Sequence, residues 1–311
     1  MTHIGGPDRD FIGYGQHAPQ IEWPNGARVA VSLCMNYEEG AERSILDGDE
    51  RNEWVGEISY TPEDQTARDL SQESVYEYGS RAGIWRLMRL FDRTETRVTF
   101  YAAAQALQRN PALARQIIPA GHEVSGHGLR WVEPTSSTRE QERDDIARAV
   151  EIIEETTGEA PRGWYSRYAP SVNTRELLIE HGGFSYDSDA YNDDIPYWVM
   201  VKGKRHLVVP YTHTYNDGRF AFTPGYSHPG DFFENCRRGI QYLIDEGETH
   251  PRMMSIGLHA RLVGQAGRTS ALADLIEWAN STGAVWFARR GDIADWFTAN
   301  YSDTPTLGGG S

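Results

Sequence analysis

The apolar residues of this chain fall in short clusters that alternate between two periods. Residues 28–40 read RVAVSLCMNYEEG, an apolar run from Val29 through Met35 that ends in Glu38, Glu39 and Gly40. A short run of this kind, with β-branched residues, predicts a strand buried on both faces. RVTFYA at 97–102, EVSG at 123–126, MMSIGLH at 253–259 and the segments 163–165, 184–187, 207–211 and 285–288 also read as strands. Helical spacing separates them. It covers 74–92, with Val75, Tyr78, Ala82, Trp85, Leu87, Met88 and Phe91, and 111–118, opened by a proline at its first turn. It returns over 137–157, where Ile146, Ala149, Ile152 and Ile153 share one face of a charged helix, and over 173–181, 229–246 and 268–282. Strand and helix therefore alternate, which predicts an α/β fold with a parallel sheet of seven or eight strands. No Gly-rich phosphate loop follows any strand. A closed or partly closed barrel thus fits better than an open nucleotide-binding sheet.

Outside this alternation, residues 1–27 are rich in Gly and Pro and read as an N-terminal arm. Residues 28–300 form a single domain, and residues 301–311, ending in Gly308-Gly309-Gly310-Ser311, read as a flexible C-terminal tail. The polar, acidic stretch 41–72 has no clear period; a loop of that length inside a domain is functional or an oligomer contact. A formal net charge of -15 argues against nucleic acid or an anionic membrane as partner. No apolar stretch reaches transmembrane length, and the N-terminus lacks a signal-peptide core, so a cytoplasmic location is expected. Cys34 and Cys236 then read as buried free thiols in a reducing compartment.

Polar residues gather where strands end. Glu38 and Glu39 follow the first strand, His127 the third, and Arg167 the fourth. Asp187, Asp189, Asn192, Asp193 and Asp194 follow the fifth, Asn216 and Asp217 the sixth, and His259 ends the seventh. Barrel enzymes carry their chemistry on such a rim. Adjacent side chains on a strand point to opposite faces, so Glu38 and Glu39 can share a site only where the backbone turns, which Gly40 permits. Two close carboxylates repel, and one of them can then work as a base near neutral pH.

The order of these motifs resembles the polysaccharide deacetylase superfamily, and within it the metal-independent allantoinase branch. The matching stretches are RDFIGYG at 9–15, NYEEG at 36–40, ESVYEYGSRAGIWR at 73–86, GHEVSGHGLRW at 121–131, GWY at 163–165, YDSDAYNDDIPYW at 186–198 and SIGLHARLVG at 255–264. The resemblance implies a distorted (β/α) barrel of the NodB-like type. It places Glu38 and Glu39 where ordinary members carry a base and a metal-binding aspartate, leaving open which Glu is the base. It places Trp131 where they carry the second of two metal-binding histidines, after His127. An indole nitrogen only donates and cannot ligate, so no cofactor is expected. If zinc were bound after all, Glu39, His127 and His213 would hold it. His213 itself departs from the allantoinase pattern.

By the same resemblance Arg167 orients the base, Asp217 partners the catalytic histidine and His259 is the general acid. Trp131 walls a pocket for a flat ring, with Arg167, Tyr191, Asn192, Asp193 and Arg261 as further substrate contacts. The implied reaction is hydrolysis of a cyclic ureide, allantoin to allantoate, or of a cyclic imide, in a homo-oligomer such as a tetramer. The competing readings are a zinc-dependent N-deacetylase of amino sugars and a non-catalytic scaffold. His3, His17, His122, His206 and His250 read as surface or structural residues, and Trp286, Phe287 and Trp296 as core.

Overall fold

A computed structural model of the chain describes residues 5–58, 63–64, 66–223 and 225–307. In chain order its strands are β1 (Val29–Tyr37), β2 (Thr99–Ala102), β3 (Glu123–Gly126), β4 (Gly163–Trp164), β5 (Tyr186–Asp187), β6 (Tyr197–Val201), β7 (Lys204–Val208), β8 (Arg252–His259), β9 (Val285–Phe287) and β10 (Thr306–Leu307). Its helices are α1 (Leu70–Tyr78), α2 (Ile84–Arg93), α3 (Ala104–Arg109), α4 (Pro111–Ile117), α5 (Arg139–Thr157), α6 (Thr174–His181), α7 (Pro229–Glu246), α8 (Ala266–Ser281) and α9 (Arg290–Asn300).

The sheet runs β10-β6-β7-β5-β4-β3-β2-β1-β8, with β9 joined to β1 beside β2. Every ladder is parallel except β6 with β7. No ladder joins β8 back to β10 among the described residues, so the sheet is mostly parallel and not closed. β1 is central. All nine of its residues are buried, as its unbroken apolar run requires. The main core lies where β1, β2 and β8 meet α2, α3, α5, α7 and α8. A second core joins Ile21 and Trp23 of the arm to Trp198 and Phe297. The Trp23 indole donates to the Arg252 carbonyl at 2.8 Å, which fixes the end of the arm against β8.

The described strands number ten, against the seven or eight expected. The extra pieces are β6 and β10. β6 and β7 form a hairpin around Lys202 and Gly203, at φ 49° and 75°. Positive φ at both positions of a two-residue loop matches the right-handed twist of the paired strands. Residues 301–307 of the expected tail are packed into the fold. Thr306 and Leu307 pair with β6, and Arg205 donates to the Ser302 and Thr304 carbonyls. Residues 308–311 lie outside the described residues. Both cysteines are buried and unpaired with each other.

The helix expected over 74–92 is instead α1 and α2 joined by a π turn at Gly79–Gly83. The glycines there are steric. A Cβ on Gly83 would lie 2.0 Å from the Ala260 carbonyl oxygen, and one on Gly79 would lie 2.4 Å from Glu39 Oε1. The turn thus lets the helix touch the residues that follow β1 and β8.

Candidate active site

Register assembles the floor of the site. β1 and β8 are parallel, with Asn36 opposite His259. Two residues further on, Glu38 and Arg261 come side by side, and Arg261 Nη2 donates to Glu38 Oε2 at 2.7 Å. On the other side of β8, Asn216 bridges Gly257, so Asp217 reaches His259. Gly257 is needed for this approach: a Cβ there would stand 2.1 Å from Asn216 Nδ2. Glu38 Oε1 faces both imidazoles, at 3.4 Å from His259 Nε2 and 3.5 Å from His127 Nε2.

Asp217 is fully buried and holds His259 at two points. Its Oδ1 lies 2.6 Å from Nδ1, and its Oδ2 accepts from the His259 backbone N–H at 2.7 Å. The Val263 N–H completes the clamp at 3.1 Å. A carboxylate on Nδ1 assigns the proton there and aims Nε2 at Glu38. Burial disfavours a charged imidazole, but the Glu38 and Asp217 carboxylates outweigh it and raise His259 to about 9. Burial also disfavours an ionised Glu38, yet Arg261, His259 and His127 together hold it well below the usual carboxylate range. The floor is therefore an anionic acceptor facing a cationic donor. His127 Nδ1 donates to the Tyr165 carbonyl at 2.5 Å, and its ring stacks on Tyr165, 9° from parallel.

Glu39 does not share this floor. It faces the π turn, where Oε1 accepts from the Arg261 N–H at 3.2 Å and Oε2 from the Glu38 N–H at 3.1 Å. Burial and the neighbouring Glu38 raise its carboxyl, against the pull of Arg261. The turn opened by Gly40, at φ +89°, separates the two carboxylates. They share Arg261, not a cavity.

The walls are aromatic. Trp131, 2% exposed, lies against two guanidinium groups, Arg167 at 3.6 Å and Arg261 at 5.2 Å from its ring. Arg167, expected to orient the base, makes no hydrogen bond to Glu38 among the described residues. It is spent on Glu53 and the Trp131 carbonyl, both at 2.6 Å, and lies 3.2 Å from Glu133. Arg261, expected as a substrate contact, is the arginine that pairs with Glu38. Together Asn36, Glu38, Val55, His127, Trp131, Tyr165, Arg167, Tyr168, His213, Asn216, Phe222, His259 and Arg261 line one cavity of about 50 Å³.

Three expected contacts lie elsewhere. Tyr191 packs on His213 and donates to the Tyr168 carbonyl, outside the cavity lining. Asn192 accepts from Tyr197, and Asp193 caps the backbone of Asp194 and Ile195, in a separate depression under the N-terminal arm. A polar run at a strand end also serves to cap the turn it lies in, and sequence does not separate the two uses.

Sequence reasoning missed Glu53, Val55, Tyr165 and Phe222. Only Glu53 carried a signal, as an acid in the long 41–72 loop. The others are apolar or aromatic residues that look like core. His206, read as a surface or structural residue, is buried, on Asp187 Oδ2 at 3.0 Å.

The donors here do not fit a divalent ion. The indole of Trp131 occupies the second-histidine position, Glu38 is neutralised by Arg261, and both Glu39 oxygens accept backbone N–H groups. His213 stands apart, its Nε2 at 3.3 Å from the Tyr165 hydroxyl. Among the described residues, no three His, Cys, Asp or Glu are grouped to hold a metal ion.

A sequence model described as polysaccharide deacetylase matches residues 70–182. A Schizosaccharomyces pombe protein carrying the polysaccharide deacetylase name is 38% identical over 94% of this chain and 98% of its own length. Two solved structures superpose with a TM-score of 0.91 over 95% of this chain and 99% of theirs. They are a probable polysaccharide deacetylase from Pseudomonas aeruginosa PAO1, 44% identical, and the Puue allantoinase, 45% identical. Both share the mostly parallel α/β arrangement of the NodB-like fold. By the extent of these matches, the chain belongs to the polysaccharide deacetylase family.

Proposed function

We propose that this protein hydrolyses the C–N bond of a small cyclic amide without a metal ion, opening the hydantoin ring of allantoin to allantoate. The observation that carries this reading is the ion-paired floor, where Glu38 and His259 stand 3.4 Å apart beneath Trp131. A small, ring-walled cavity suits a flat ring better than a sugar chain. Similarity to an allantoinase at 45% identity supports the same choice.

In this mechanism Glu38 is the general base. It is ionised and acceptor-only, and it takes a proton from the water that attacks the ring carbonyl. His259, protonated, then delivers its Nε2 proton to the ring nitrogen as the C–N bond breaks. Asp217 keeps the imidazolium aligned. Arg261 receives the oxyanion; its Nε has no hydrogen-bond partner among the described residues, while Nη1 lies 3.6 Å from Glu39 Oε1. Trp131 stacks on the ring, and Arg167, braced by Glu53, stiffens the indole from behind. Glu39 is a positioning residue. Without a Lewis acid, several kcal/mol of transition-state stabilisation is forgone. An electron-poor ring amide tolerates that loss better than an acetamide does.

A second reading, N-deacetylation of an amino sugar, is favoured by the names of the relatives, including a Helicobacter pylori peptidoglycan deacetylase, 35% identical over 48% of the chain. Turnover of allantoin, hydantoin, succinimide and chitooligosaccharides, with and without chelator, separates the two. The expected outcome is chelator-insensitive ring opening. Stoichiometric zinc with chelator-sensitive deacetylation would overturn the proposal.

A further inference from the structure

Beside the cavity stand two exposed aromatic rings that the mechanism above does not use: Phe222 lines the cavity, and Trp54, next in the chain to the lining residue Val55, packs on Phe222. Trp54, from the long loop before α1, is 66% exposed, and Phe222, from the segment after β7, is 39% exposed. Their ring centroids are 6.4 Å apart, edge to face at 71°. Exposed rings of this size call for an explanation, since water is a poor neighbour for them.

Both rings are presented by built backbone. Glu53 Oε1 accepts from the Trp54 and Val55 N–H groups at 3.0 and 3.1 Å, while Glu53 Oε2 takes Arg167. On the next residue, the Tyr76 hydroxyl donates to the Val55 carbonyl at 2.9 Å. The loop that shows Trp54 to solvent is thus anchored to the guanidinium that stacks on Trp131. Phe222 lies over Gly218, where a Cβ would stand 3.4 Å from its ring.

Exposure gives the direction of the site. Glu38 is 1% and His259 9% exposed on the floor, and Trp54 and Phe222 stand open at the rim. The cavity, about 50 Å³, has room for little more than one small ring. A substituent on that ring would extend toward the exposed part of the lining, where Phe222 stands beside Trp54.

We infer that Trp54 and Phe222 are specificity-determining residues that together form an aromatic rim against which a planar substituent of the ring substrate packs. This rests on the cyclic-amide reading and narrows it. The preferred substrates carry a flat conjugated group, ureido or aryl, on the ring carbon. A conjugated plane stacks on an aromatic face, and a small alkyl group does not.

The test is kcat and KM for hydantoin, 5-methylhydantoin, allantoin and 5-phenylhydantoin with the native protein, Trp54→Ala, Trp54→Phe and Phe222→Ala. The allantoin and phenyl arms distinguish a ureido from an aryl occupant. The native protein is expected to favour at least one planar-substituted ring over 5-methylhydantoin. Trp54→Ala and Phe222→Ala raise KM for that ring about tenfold, as loss of a stacked contact would. Trp54→Ala leaves kcat, and both constants for unsubstituted hydantoin, within about twofold. Trp54→Phe restores most of the preference.

Hydantoin turnover without any planar preference, or an equal loss on all four rings in the alanine variants, overturns this inference and leaves the cyclic-amide reading standing. A change in native mass with unchanged preference also overturns it, making the loop an oligomer contact. No turnover of any ring overturns both.

Discussion

Two carboxylates adjacent in sequence have opposite electrostatic fates. Glu38 is held ionised by Arg261 and two imidazoles, whereas Glu39 is pushed up by burial and by Glu38 itself. Glu38→Gln keeps the shape and removes the base. It is expected to lower kcat by about 10²–10⁴-fold with an unchanged circular dichroism spectrum. The proposed acid, His259, sits at about 9. The active form, with Glu38 ionised and His259 protonated, is therefore lost on the alkaline side as pH rises through about 9. Asp217→Asn removes one of the two charges that raise His259. It is expected to move the alkaline limb of the kcat profile to lower pH, which a pH–rate profile measures directly. The same raised group bears on folding. Its stabilising contribution is complete below the unfolded value of about 6.5 and fades as pH rises through the folded one. Glu38, Asp217 and His259 were legible as candidates because carboxylates and imidazoles recur at successive strand ends in an order that resembles the family's. Arg261 was legible only as one of several arginines, since its partner choice depends on register.

At the scale of elements, the π turn between α1 and α2 does what a regular helix could not. It brings Gly79 against Glu39 and Gly83 against the Ala260 carbonyl, between His259 and Arg261 in the chain. Gly83→Ala forces a Cβ into that oxygen and is expected to destabilise the fold by about 1–3 kcal/mol or more in urea unfolding. Gly267→Ala is the control. It sits in the first turn of α8 with its nearest neighbour atom 3.9 Å away, and it is expected to be neutral or slightly stabilising. Helical spacing made both helices visible in the sequence. It could not show the turn, because two glycines inside a helical pattern look like weak helix rather than a close approach. The β6–β7 hairpin was missed for a related reason: MVKGKRH is polar at its centre, and its pairing is set by the Lys202-Gly203 turn.

At the scale of the whole molecule, a buried cation from the segment after β8 pairs with the carboxylate after β1, and two guanidinium groups lie 3.6 and 5.2 Å from the indole ring. Prolonged treatment with a chelator is expected to leave turnover and thermal midpoint unchanged, measured on protein whose metal content has been assayed before and after. By itself the sequence determined the α/β alternation, the buried central strand and the residue types at strand ends, because periodicity and polarity are local properties. It also carried the substitution of an indole for a ligand, because that is a matter of identity. Only the tertiary structure decided which partner each charge takes. It set Glu38 apart from Glu39, gave Arg167 to Glu53 and Arg261 to Glu38, and sent Asn192 and Asp193 to a different surface. Those choices follow from parallel register and from one left-handed glycine, which fix distances between residues more than two hundred positions apart.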